Sequence, residues 1–126
     1  MYVEDIDLGL RLQALARPCL LVHDAIALHM GSATTGRHSD LTVYHGHRNL
    51  VWNYFKNLPW PLVILCLPAH LAMTLVIIGH FALGGQLRVI LRAKLDALRG
   101  LPRILRQGQR VPSSVLWPLL NKSLAR

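Results

Sequence analysis

The sequence predicts a mixed α+β segment, made of a short helix and one or two strands, followed by a mostly α-helical tail that associates with a membrane. Three observations predict it. Residues 1–40 mix acids, bases and short apolar runs in the manner of a water-soluble α/β segment. From Asn57 to Leu87 there are 31 residues without an Asp, Glu, Lys or Arg. From Arg88 to Arg126 nine Lys or Arg face a single acid, Asp96.

Taken in order, Glu4, Asp5 and Asp7 form an acidic start that suits the positive end of a helix dipole. Leu8, Leu12 and Leu15 follow at i, i+4, i+7, the spacing of one helix face. Arg17-Pro18 ends that helix, because the residue before a proline is steered away from helical angles. The run 19–22 reads as a short buried strand, and 25–28 as a second strand or its extended continuation. Residues 31–36 have the residue types of a flexible loop. Helix resumes near Leu41 and continues towards Leu58, where Pro59 and Pro61 interrupt it. The resulting segments are 1–40, a connecting helix 41–58, a hydrophobic segment 59–86, and a basic amphipathic helix and tail over 87–126.

Trp60–Leu83 is long enough for one bilayer crossing, since about 20 apolar residues suffice. Trp52 and Trp60 suit an interfacial aromatic belt. A single crossing puts the two ends of the chain on opposite sides. Two crossings need about 40 apolar residues, more than are present. Pro68 therefore predicts a re-entrant hairpin that returns to the face it left. Beyond it, Leu87, Ile90, Leu91, Leu95 and Leu98 share a helical face, with Arg88, Arg92, Asp96 and Arg99 opposite or beside them and Lys94 near the boundary. That is a basic amphipathic helix, expected to stop at Gly100 and Pro102 and to rest on an anionic membrane surface.

The formal net charge of +8 and a pI near 10.5 point to an acidic partner. The adjacent apolar run favours anionic lipid over nucleic acid, which gains nothing from it. Cys19 and Cys66 are too few for a disulfide framework and read as reduced thiols. No signal peptide is expected, because the first ten residues are acidic and lack a basic flank. His38, His45 and His47 lack the Cys or acid partners of a zinc site. His70 and His80 read as interior or interface groups of the hydrophobic segment.

Read by chemistry alone, Glu4-Asp5-Ile6-Asp7-Leu8-Gly9-Leu10-Arg11 is a set of helix-start acids, a solvated face, or an acid/base or metal site. The motif resembles the acidic motif of bacterial family-2 glycosyltransferases, whose catalytic domain has the GT-A fold. Residues 31–40, the stretch Tyr44-His45-Gly46-His47-Arg48-Asn49 and the hydrophobic tail follow in the order found in that family. The resemblance implies that residues 1–40 are the C-terminal remnant of a GT-A domain. Asp5 would be the general base, supported by Glu4 and Asp7. His29 would ligate a divalent cofactor metal, Mn or Mg. Arg11, His45, His47, Arg48 and Asn49 would contact acceptor or phosphate groups. The implied reaction transfers a sugar from a nucleotide-sugar donor to a cell-envelope glycan or lipid-linked acceptor, at the cytoplasmic face of the inner membrane, with no nucleic-acid partner. The nucleotide-binding half of that family has no counterpart in the sequence, so the fragment is expected to be inactive alone. The alternative is a small non-enzymatic membrane protein that binds anionic lipid or a membrane partner through its basic helix.

Overall fold

In the computed structural model, which describes residues 2–17, 19–20, 22–28, 39–108 and 110–124, the chain folds as five α-helices with no strand among the described residues. They are α1 (Glu4–Ala14), α2 (Asp40–Asn57), α3 (Trp60–Leu83), α4 (Leu87–Gln107) and α5 (Ser113–Leu124). The architecture is all-helical, which overturns the expected α+β remnant of a GT-A domain. The physical reason lies in 19–28. A strand needs a partner for its backbone groups, and none is provided among the described residues. Leu20, Ile26 and Leu28 are 83%, 87% and 96% exposed, with only a turn closed by Ala25 N–H donating to the Val22 carbonyl.

The acidic start does begin α1, with Val3 at its N-cap at φ 69°, a left-handed conformation that is costly for a β-branched residue. The face that packs differs from the one expected. Leu8 and Leu15 are exposed, while Leu10 and Ala14 lie against a small core of Leu62, Val111 and Leu116. The helix α2 starts at Ser39, whose Oγ accepts from the Thr42 N–H at 3.3 Å, with Asp40 in the first turn. Pro59 and Pro61 sit at the N-cap and first turn of α3, where a missing N–H costs nothing.

No hairpin forms at Pro68. The helix α3 runs unbroken through it, and the chain reverses at Gly84-Gly85. There Gln86 N–H donates to the Phe81 carbonyl at 2.8 Å and Gly85 N–H to Ala82 at 3.1 Å, with Gly85 at φ 78°. This is the paired-bond helix stop that requires a residue tolerant of positive φ.

After that turn α4 lies parallel to α2. Gln86 Nε2 donates to Asp40 Oδ1 at 2.7 Å at one end, and a Cβ on Gly108 would lie 2.8 Å from the Lys56 carbonyl at the other. The seam consists of Ile90, Ala93 and Ala97, all fully buried, continued by Gly100. Small residues let the backbones close in: a Cβ on Gly100 would lie 2.6 Å from Trp52 Cζ2, and Trp52 Nε1 donates to the Ala97 carbonyl at 2.8 Å. Tyr44 OH adds a bond to Asp96 Oδ2 at 2.8 Å. With this anchoring α4 passes through Gly100 and Pro102 to Gln107, one and a half turns beyond its expected stop.

The helix α3 runs antiparallel along the same pair. Near its start Tyr54 OH donates to the Val63 carbonyl at 2.6 Å and the Tyr54 ring stacks on His70 at 4.2 Å. Near its end Phe81 meets His47 edge-on at 5.1 Å. The end of α4 returns to the start of α3, where Arg110 donates to the Leu58 carbonyl and lies over the Trp60 ring, and Val111 N–H donates to the Asn57 carbonyl.

Candidate functional site

Two places hold the residues that sequence reasoning singled out. The first is an open pocket of about 300 Å³ between the start of α1 and the middle of α2, lined by Tyr2, Glu4, Asp7, Arg48, Asn49 and Lys56 among others. It brings together four of the expected site residues, but it holds them in pairs. Asp7 Oδ1 accepts from Lys56 Nζ and from Asn57 Nδ2, each at 2.7 Å, and Arg11 approaches its other oxygen at 3.9 Å. Asn57 Nδ2 also donates to Asn53 Oδ1. Burial pushes the Asp7 carboxyl up, but the bonds from Asn57 and Lys56 and the charges of Lys56 and Arg11 outweigh it. The net effect holds Asp7 below the ordinary aspartate range. A carboxylate so stabilised is a poor proton acceptor. Its chemistry is that of a latch between α1 and α2.

Arg48 is equally committed. Its guanidinium lies over the rings of Trp52 at 4.4 Å and Tyr44 at 5.2 Å, donates to Asn49 Oδ1 and meets His45 Nδ1 at 3.1 Å. Asn49 in turn donates to the Tyr2 carbonyl at 3.1 Å. These contacts explain why His45-x-His47-Arg48-Asn49 does not act as one patch: on a helix, successive residues diverge by about 100°. Arg48 and Asn49 line the pocket beside the start of α1, whereas His47 faces α3.

Asp5, the expected base, stands exposed in the first turn of α1 and outside that pocket, its Oδ1 accepting from the Ile6 N–H at 2.9 Å. Glu4 is exposed beside it and lines the pocket edge. The carboxylates do not fit the divalent metal that the resemblance implied, because Asp7 already neutralises an ammonium and Asp5 bonds its own helix. His29 lies outside the described residues, and no group of three or more His, Cys, Asp or Glu converges among them.

The second place is the outer surface of α3. Only 11% of its most apolar stretch is buried, and it is long and apolar enough to cross a membrane. A helix on the surface of a water-soluble domain shows polar residues outward. Here aliphatic residues face outward: Ile64, Leu65, Leu75, Val76 and Leu83 are exposed along with His80, while His70 stacks on Tyr54 of α2 and Thr74, one turn further on, is half-buried. The exposed leucines of α4, Leu87, Leu91, Leu95 and Leu98, extend this surface. Leaving six or more such side chains in water forgoes on the order of 10 kcal/mol, as large as the whole stability of a typical domain.

Helix α4 thus has three faces. The small-residue seam meets α2, the leucines adjoin α3, and Arg88, Arg92, Arg99, Arg103 and Arg106 lie exposed on the third. Asp96 among them is spoken for by Tyr44, Arg99 at 3.1 Å and Arg92 at 3.8 Å. Sequence reasoning missed the Lys56, Asn53 and Asn57 set, although its i, i+3, i+4 spacing on α2 was a usable signal. No protein-family model, curated protein or solved structure matches the chain.

Proposed function

We propose that this chain is a non-enzymatic, membrane-associated helical protein that lies on an anionic bilayer, with α3 immersed in the plane of the interface and α2 and α4 above it. The observation that carries the reading is the broad aliphatic surface that α3 leaves exposed. In-plane immersion suits the packing better than a crossing. Because α4 runs alongside α3, a crossing would carry its arginines into hydrocarbon at about 2.5–3.5 kcal/mol each. An in-plane helix sinks its apolar side about 5–10 Å and leaves the basic side at the headgroups. This arrangement also leaves both ends of the chain on one side without a second span. The basic surface fits the anionic cytoplasmic leaflet, and the cytoplasmic face of the inner membrane is the side we assign.

No observation favours sugar transfer over this reading, since Asp7 is latched and Asp5 stands outside the pocket. The two cysteines, both exposed in the isolated chain, provide the test. With protein bound to phosphatidylglycerol-containing vesicles, a water-soluble maleimide is expected to label Cys19, while Cys66, on α3, is shielded until detergent is added. Equal labelling of both thiols on vesicles that carry the protein would overturn immersion of α3.

A further inference from the structure

Every ring contact that joins α2 to α3 among the described residues uses a histidine. His47 of α2 meets Phe81 edge-on at 5.1 Å, and His70 of α3 stacks on Tyr54 at 4.2 Å with Phe55 edge-on at 6.3 Å. The two contacts lie about three helical turns apart along α3, so one holds its middle and the other its end. The start of α3 is fixed differently, by buried Leu62 and Val63 and by the Tyr54 hydroxyl on the Val63 carbonyl. Beyond Val63 no residue of α3 is fully buried. The hydrogen bonds that join α2 to α4 come from Trp52, Tyr44 and Gln86 and involve no histidine.

The surroundings of both rings suit the neutral form. The Nδ1 atom of His47 is buried and makes no hydrogen bond, so a proton added there would be a buried donor without an acceptor. His47 is faced by Phe81, with His80 beside it, on α3 and by Tyr2 across the adjoining groove. His70 is faced by Tyr54 and Phe55 of α2. From α4 the charge that acts on both rings is the Lys94 ammonium, of the same sign as an imidazolium. The two acids of α2, α3 and α4 are engaged elsewhere: Asp40 with Gln86, and Asp96 with Tyr44 and two arginines. Burial first, and the Lys94 charge second, hold both histidines below the ordinary range. The Tyr54 face favours a cation, so His47 is the more sensitive of the pair.

We propose that His47 and His70 form a proton-sensitive clasp: neutral, they dock the middle and end of α3 on α2, and protonated, they release them while the α2/α4 seam stays closed. The sign follows from linkage. A histidine whose pKa is lowered by docking contributes fully above the ordinary value of about 6.5, and its contribution declines as the pH falls below that value. The start of α3, fixed by groups that do not titrate there, acts as the hinge. The clasp is independent of membrane immersion, so it is read in detergent micelles.

The experiment follows the full chain by NMR between about pH 7.5 and 5, a range that brackets the ordinary histidine pKa. Cross-peaks of His47 with Phe81 and of His70 with Tyr54 are expected at the upper pH and lost at the lower one. Those of Trp52 with Gly100 and of Tyr54 with Val63 should persist throughout. His47→Phe with His70→Phe keeps both aromatic contacts without a charge, and should stay docked at the lower pH. His47→Phe alone, the milder change, should retain the Phe81 contact and lose that of His70. His45→Gln should behave as wild type, since His45 meets Arg48 and not α3. Wild-type ring contacts that survive at the lower pH overturn the clasp, and so does their loss in the doubly substituted protein. Simultaneous loss of the Trp52–Gly100 contact overturns selective release, because the whole bundle has then unfolded.

Discussion

Helices α3 and α4 are neighbours of similar length, 24 and 21 residues, yet they solve opposite problems. The first half-buries His70 and Thr74 and leaves most of its aliphatic side chains, with His80, exposed. The second turns alanines and a glycine towards protein and five arginines outward. A packed interior accepts either arrangement, provided that volumes and hydrogen bonds match. What distinguishes the two helices is the medium on the far side. The apolar flank of α4 adjoins α3, so the molecule has one face suited to hydrocarbon and one suited to charged headgroups or water.

The comparison breaks most completely if the outer face of α3 is made polar. Leu65→Lys with Leu75→Lys puts two cations where hydrocarbon is proposed, at about 2–3 kcal/mol each. Flotation with vesicles should then fall to background. Next in size is the α2/α4 seam. Gly100→Ala places a Cβ against Trp52 and should destabilise by about 1–3 kcal/mol, read from thermal unfolding in detergent. The matching change on α3, Gly79→Ala, meets open space and should be neutral or stabilising by up to about 1 kcal/mol. If both changes cost the same, the close approach of α2 and α4 is not where the stability lies.

The α1 latch has an expected effect of similar or smaller size. Asp7→Asn leaves Lys56 without its carboxylate and should cost about 1–2 kcal/mol, since the pair is partly exposed. The pH dependence has a definite sign. Folding lowers the Asp7 pKa, so its contribution is complete above the unfolded value and disappears as pH falls through the folded one. Wild-type protein should therefore lose stability on acidification below the ordinary aspartate range, and the difference from Asp7→Asn should shrink there. Lys56, Arg11 and Asn57 are the groups that face Asp7. The smallest effect concerns the arginine face. Arg103→Gln or Arg106→Gln should each weaken partitioning onto anionic vesicles about fivefold and leave neutral vesicles unaffected, because a surface base near anionic lipid is worth about 1 kcal/mol.

Much of this surface was legible residue by residue. The uncharged run gave α3, the acids gave the start of α1, and the arginine spacing gave the basic face of α4. The errors have separate physical causes. The 19–22 and 25–28 runs are apolar and short, a pattern that does not distinguish a strand from exposed irregular chain unless a partner strand exists. Pro68 and Pro102 carry the residue type of a helix break, but one lost backbone bond does not end a helix whose other contacts hold it. The acidic motif matched a residue pattern, whereas in the structure Asp5 and Asp7 stand on different sides of one helix turn with different partners.

The sequence by itself determined where the apolar segment lies, that the chain is basic beyond it, and where the first four helices begin. These are local properties of composition, periodicity and capping. Only the tertiary structure decided which faces meet: that Gly100 exists to admit Trp52, and that Asp7 serves Lys56 and Asn57. Those pairings join residues 48 to 50 positions apart, and no local preference encodes them. They follow from how α2, α3 and α4 pack, with the close approach of α2 and α4 set by the size of Ala93, Ala97 and Gly100.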